Sequence, residues 1–60
     1  MRQKWDAVGY GRRLQLLANA GIENPQRRHW ANVVWEYLPE PIRTALDLVR
    51  TAEDIAELPR

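Results

Sequence analysis

The chain has 60 residues, nine basic and eight acidic side chains, a net charge of +1 and no cysteine. Sixty residues are expected to make one domain at most, and without cysteine they hold no disulfide staple and no thiolate metal site. At 45% hydrophobic and 28% charged it is too apolar to stay disordered, yet no run approaches the ~18 consecutive apolar residues of a membrane span.

A chain this short buries only about 60% of the surface its unfolded form exposes. Without staples, its stability has to come from well-packed helices or from association. The opening Met-Arg-Gln-Lys-Trp-Asp lacks the apolar run of a signal peptide. Together with the missing cysteines, it leads to the expectation of a cytoplasmic protein.

Asp6 has the chemistry of an N-cap. From Ala7 to Ala20, the residues Ala7, Tyr10, Leu14, Leu17 and Ala18 recur at helical spacing and predict a first helix. Trp5 and Leu16 fall outside that stripe. Gly9 and Gly11 weaken the first turns by up to ~1 kcal/mol each. They set the start at Gly11, or else they admit a neighbouring helix at close range. Gly21 suits a left-handed helix stop, with Ile22 supplying the usual apolar contact.

The second helix is expected over Pro25–Leu38 and to organise the rest, because it holds two of the three tryptophans. Asn24 would cap it, Pro25 would sit in its first turn, and Pro39 would end it. Trp30, Val33, Val34, Tyr37 and Leu38 would form its apolar face, with Ala31 and Trp35 at the edge. The third helix follows Pro41. Ile42, Ala45, Leu46, Val49, Ala52, Ile55 and Ala56 recur at three and four, and Leu48 and Leu58 widen the face to half the circumference. Arg43 with Asp47, and Arg50 with Asp54, are i,i+4 pairs. Thr51-Ala52-Glu53-Asp54 resembles a capping box and leaves open a break near Thr51. The chain closes with Leu58-Pro59-Arg60, expected to fray.

The fold class is therefore all-α: one compact three-helix domain over 1–60, with more apolar helix surface than it can hide. A homodimer through apolar helix faces is the simplest way to cover the excess.

Function has to be read from the surface. The chain has no serine and no cysteine. His29 has no carboxylate nearby in sequence to orient it, and Gly9-Tyr10-Gly11 lacks the rest of any phosphate-binding fingerprint. No enzyme activity, metal or cofactor is expected. Residues 1–30 carry six basic side chains against two acidic ones, and residues 31–60 three against six, so the molecule is an electrical dipole able to select a partner.

The leading expectation is a protein-binding regulator, adaptor or inhibitor. Trp5 and Trp35 would be its apolar anchors, and Arg12, Arg13, Arg27 and Arg28 would match an acidic surface. The alternative is a nucleic-acid-binding regulator. Leu17 to Gly21 followed by a helix resembles a degenerate helix-turn-helix, with Gln26, Arg27, Arg28, His29 and Asn32 toward the groove. Arg27 stands where that motif wants an apolar residue. Membrane association is not expected, because basic residues do not line the polar face of the most apolar helix.

Overall fold

The computed structural model describes residues 4–58. A 3-10 turn at Trp5–Ala7 leads into α1 (Tyr10–Asn19) and then α2 (Asn24–Ala31). A second 3-10 turn at Trp35–Tyr37 precedes α3 (Glu40–Glu57). The all-helical, three-helix expectation is met, with no strand among the described residues. The fraying expected at Pro59–Arg60 lies outside them.

α1 is the middle element, in contact with both α2 and α3. A helix flanked on two sides needs apolar residues on both. This is why Leu16, outside the expected stripe, is buried beside Leu17, while Tyr10, inside the stripe, is about half exposed. Gly9 takes the N-cap position in extended conformation, so α1 starts at Tyr10, one residue before the expected Gly11. A Cβ at Gly9 or Gly11 would meet nothing within 4 Å, so neither glycine serves a close helix approach.

The α1 stop is built as expected. Gly21 has φ +82°, the one positive φ among the described residues. Its amide donates to Ala18 O, and that of Ile22 donates to Leu17 O, each at 3.0 Å. These two bonds make a Schellman cap, and Ile22 packs against the core.

The second helix is a correction. It ends at Ala31, not Leu38, and its cap position is Glu23, not Asn24. The first helical bond runs from Arg27 N to Glu23 O. The early stop has a physical cause in the last carbonyls, which would otherwise need continued helix. Arg28 O accepts from Asn32 Nδ2 at 2.9 Å. His29 O and Trp30 O accept from the amides of Asn32 and Val33 in tightened turns. Ala31 O accepts from Arg13 Nη1 at 2.8 Å. With these carbonyls satisfied, the chain leaves the helix. Val34 is extended, and Trp35–Tyr37 forms a separate 3-10 turn.

The N-terminal segment holds the released strip in place. Trp5 Nε1 donates to Val33 O at 3.0 Å, and Trp35 N donates to Asp6 Oδ1 at 3.2 Å. Asp6 therefore anchors this distant strip instead of capping α1. Trp5 is 1% exposed and sits in one cluster with Val8, Leu16, Leu17, Ala31, Leu38 and Leu46. Burying an indole of roughly 200 Å² at about 25 cal/mol per Å² contributes on the order of 5 kcal/mol before entropy is subtracted.

α3 is one helix of 18 residues with Thr51 inside it. It is about 27 Å long at 1.5 Å per residue, against about 15 Å for α1. The molecule is accordingly elongated, 37 × 21 × 20 Å. Leu46 is buried and Ile42 and Val49 pack on the core, but Asp54 through Leu58 are all exposed.

Candidate functional site

Six residues were singled out in the sequence as a partner-binding set, and the fold does not bring them onto one surface. Trp5 lies inside the core, so its indole is occupied by packing and by Val33 O. Trp35 is half-buried, with its ring 6.5 Å from that of Trp5 and tilted by 47°. It is one of the partly buried residues packed against the core.

Three of the four arginines are engaged within the molecule. Arg13 is a three-way clasp. Its Nε donates to Val8 O at 2.9 Å, its Nη1 to Ala31 O at 2.8 Å and its Nη2 to Asp6 O at 3.2 Å. Its guanidinium lies 5.4 Å from the centroid of the Trp5 ring, in cation–π range. The planar fork of arginine suits this geometry, since its donors point in fixed, divergent directions. The positive charge also sits at the C-terminal end of α2, where the helix dipole favours it.

Arg27 folds back on the connection between α1 and α2, donating from Nε and Nη2 to Ile22 O at 3.1 and 2.9 Å. Arg12 pairs with Glu53 and so ties α1 to α3. The other Glu53 oxygen, Oε1, is buried without a hydrogen-bond partner.

Arg28 and His29 are exposed, with the His29 ring against Trp30 at 4.4 Å. The residues expected to face a nucleic-acid groove are thus divided. Arg27 is turned onto Ile22 O, and Asn32 lies past the end of α2 and binds Arg28 O. Guanidinium and amide groups held by carbonyls offer little to phosphates or base edges.

A shallow groove of about 320 Å³ runs between α1 and the start of α2. Tyr10, Leu14 and Ala18 line one wall, and Asn24, Arg27 and Arg28 the other. No cluster of three or more His, Asp or Glu side chains suited to a metal occurs among the described residues.

Protein-family models, curated proteins and solved structures yield no match to the chain. Chemistry and geometry are therefore the basis for a functional reading.

The surface feature that stands out is apolar. Leu48 is 67% exposed, Ile55 63% and Leu58 65%. Ala52 between them is exposed, and Ala45 is half-buried. The spacing 45, 48, 52, 55 places these residues along one stripe of α3. The stripe adjoins the inner one, Ile42–Leu46–Val49, which the core uses. The sequence showed the full apolar width of α3 but not which half of it the fold would cover. No described helix is long and apolar enough to cross a membrane.

Proposed function

We propose that the protein is a non-catalytic protein-interaction module, associating through apolar helix faces and homodimeric, with the outer stripe of α3 as its contact surface. The observation that carries this reading is the exposure of Leu48 and Ile55 on a helix whose adjoining stripe already packs on the core. Large apolar side chains repeated at helical spacing on an exposed face are the usual geometry of a helix that docks on another helix or groove.

Engagement of Arg12, Arg13 and Arg27 inside the molecule moves the expected contact away from the arginines and onto this stripe. Regulation, adaptation or inhibition of a partner are roles such a module fills by occupying a surface.

Site-specific photo-crosslinking tests the reading in the producing host. A benzophenone side chain at Leu48 or Ile55 is expected to give protein adducts, and the same group at exposed Gln26 is not. Absence of any protein adduct at 48 and 55 would remove the proposal. Salt-sensitive binding of a labelled duplex, lost on Arg28→Ala, would favour nucleic acid instead.

A further inference from the structure

α2 ends at Ala31, yet its apolar period does not. Trp30, Val33, Val34, Tyr37 and Leu38 fall at i, i+3, i+4, i+7 and i+8, one face of a helix that would run to Pro39. The observed backbone instead leaves Val34 46% and Tyr37 76% exposed. Local pattern and tertiary structure conflict over residues 32–38, and such a conflict marks a segment with two competing states.

The break is enforced at particular bonds. In a continued α-helix, Trp35 N would donate to Ala31 O, and Tyr37 N to Val33 O. The first pair is split: Ala31 O accepts from Arg13 Nη1 at 2.8 Å, and Trp35 N donates to Asp6 Oδ1 at 3.2 Å. The second is split as well: Val33 O accepts from Trp5 Nε1 at 3.0 Å, and Tyr37 N turns back to Val34 O at 3.0 Å. The three intercepting side chains form one unit. Arg13 Nη2 donates to Asp6 O, and the Arg13 guanidinium lies 5.4 Å from the centroid of the Trp5 ring.

We infer that the Trp5–Ala7 turn is a strap that holds α2 short, and that its release joins residues 32–38 to α2 as one helix over residues 24–38. The exchange leaves no backbone group stranded, because Ala31 O regains Trp35 N and Val33 O regains Tyr37 N. Pro39 ends the longer helix, which gains about 10 Å. Its Trp30, Val33, Val34, Tyr37 and Leu38 then share a single face. Val8 is buried and its carbonyl is held by Arg13 Nε, so the strap pivots beyond Val8. The moving turn carries two of the three intercepting groups, the Trp5 indole and the Asp6 carboxylate.

Packing sets which form dominates. Trp5 is 1% exposed and Leu38 2%, and lengthening α2 withdraws both from the core cluster. Burial of the indole therefore favours the strapped form. The continuous helix is the minor one, at roughly 0.1–10% of molecules.

Nuclear magnetic resonance tests the two forms directly. Val34 has ψ 152°, which gives a strong Overhauser effect from its Hα to the Trp35 amide. A continuous helix replaces it with a strong amide–amide effect. Asp6 and Asn32 are both exposed. Asp6→Ala removes the acceptor of Trp35 N. Asn32→Ala removes the side-chain bond to Arg28 O and installs a better helix former. Each change should raise the ratio of continuous to strapped form by roughly three- to tenfold, and the double variant should show helical Cα shifts over residues 32–37.

Saturation-transfer exchange on the parent chain supplies the second measurement, should the variants fail to fold. One process should link the Trp5 indole with the Trp35 and Tyr37 amides, and the minor form should carry helical shifts. Coil shifts in that form would mean local unfolding and overturn the strap. Folded variants that keep the Val34 Hα effect, or failed variants together with a parent that shows no second form, would overturn it as well.

Discussion

Replacement of Arg13 tests the central claim about how this small fold is held together. The guanidinium bridges three segments: the N-terminal turn through Asp6 O, the lead into α1 through Val8 O, and the end of α2 through Ala31 O. The bonds to Val8 O and Ala31 O are partly buried and that to Asp6 O is exposed. Water can replace the exposed bond at little cost. The other two contribute about 1 kcal/mol each, discounted from the value for a fully buried charged donor. The cation–π contact with Trp5 adds ~0.5–1 kcal/mol.

Arg13→Ala should therefore destabilise the domain by about 2–3 kcal/mol. Total stability for a chain of this length is on the order of 3–9 kcal/mol. Arg13→Lys keeps a charge over the ring but cannot fork to two carbonyls, so it should lose about 1–2 kcal/mol. Urea titration followed by tryptophan fluorescence and helical circular dichroism measures both. A change below about 0.5 kcal/mol for Arg13→Ala, or lysine equal to the parent, would refute the clasp and return Arg13 to the surface set.

The neighbouring Arg12 offers a contrast: its pair with Glu53 is half-exposed, so Arg12→Ala should cost under about 1 kcal/mol in the same titration. Gly21→Ala should cost about 1–2 kcal/mol through torsion alone, because φ is +82° and the space around a Cβ is empty. Gly11→Ala, in a helix with open space around it, should instead stabilise by up to ~1 kcal/mol; equal thermal midpoints for these two glycine variants would contradict the cap geometry. Trp5→Phe removes the bond to Val33 O and part of the core volume, and should lower stability by about 2–3 kcal/mol, read as an earlier urea midpoint. A midpoint within error of the parent would mean that the indole is not the hub described.

Much of the fold was legible because its signals are local. The three-helix composition follows from apolar residues at three and four. The α1 stop follows from a glycine, since Gly21 can take positive φ at no steric cost. The apolar width of α3 follows from residues recurring at three and four after Pro41, whereas the capping-box pattern at Thr51 left its length open. What local pattern could not give was the fate of Asn32–Leu38. Val33, Val34 and Tyr37 continue a helical period on paper, yet α2 stops at Ala31, where the Asn32 side chain, two tightened-turn amides and Arg13, 18 positions earlier, satisfy its last carbonyls.

The candidate site divides in the same way. Sequence alone determined that α3 carries apolar residues around half its circumference and that the arginines cluster toward the first half of the chain. Tertiary structure decided which of those residues are spent. It placed Trp5 in the interior, turned Arg13 and Arg27 onto backbone carbonyls, and covered one stripe of α3 while leaving Leu48 and Ile55 in solvent. Burial and long-range hydrogen bonds depend on which elements meet, and a helix period says which residues share a face without saying what lies opposite it.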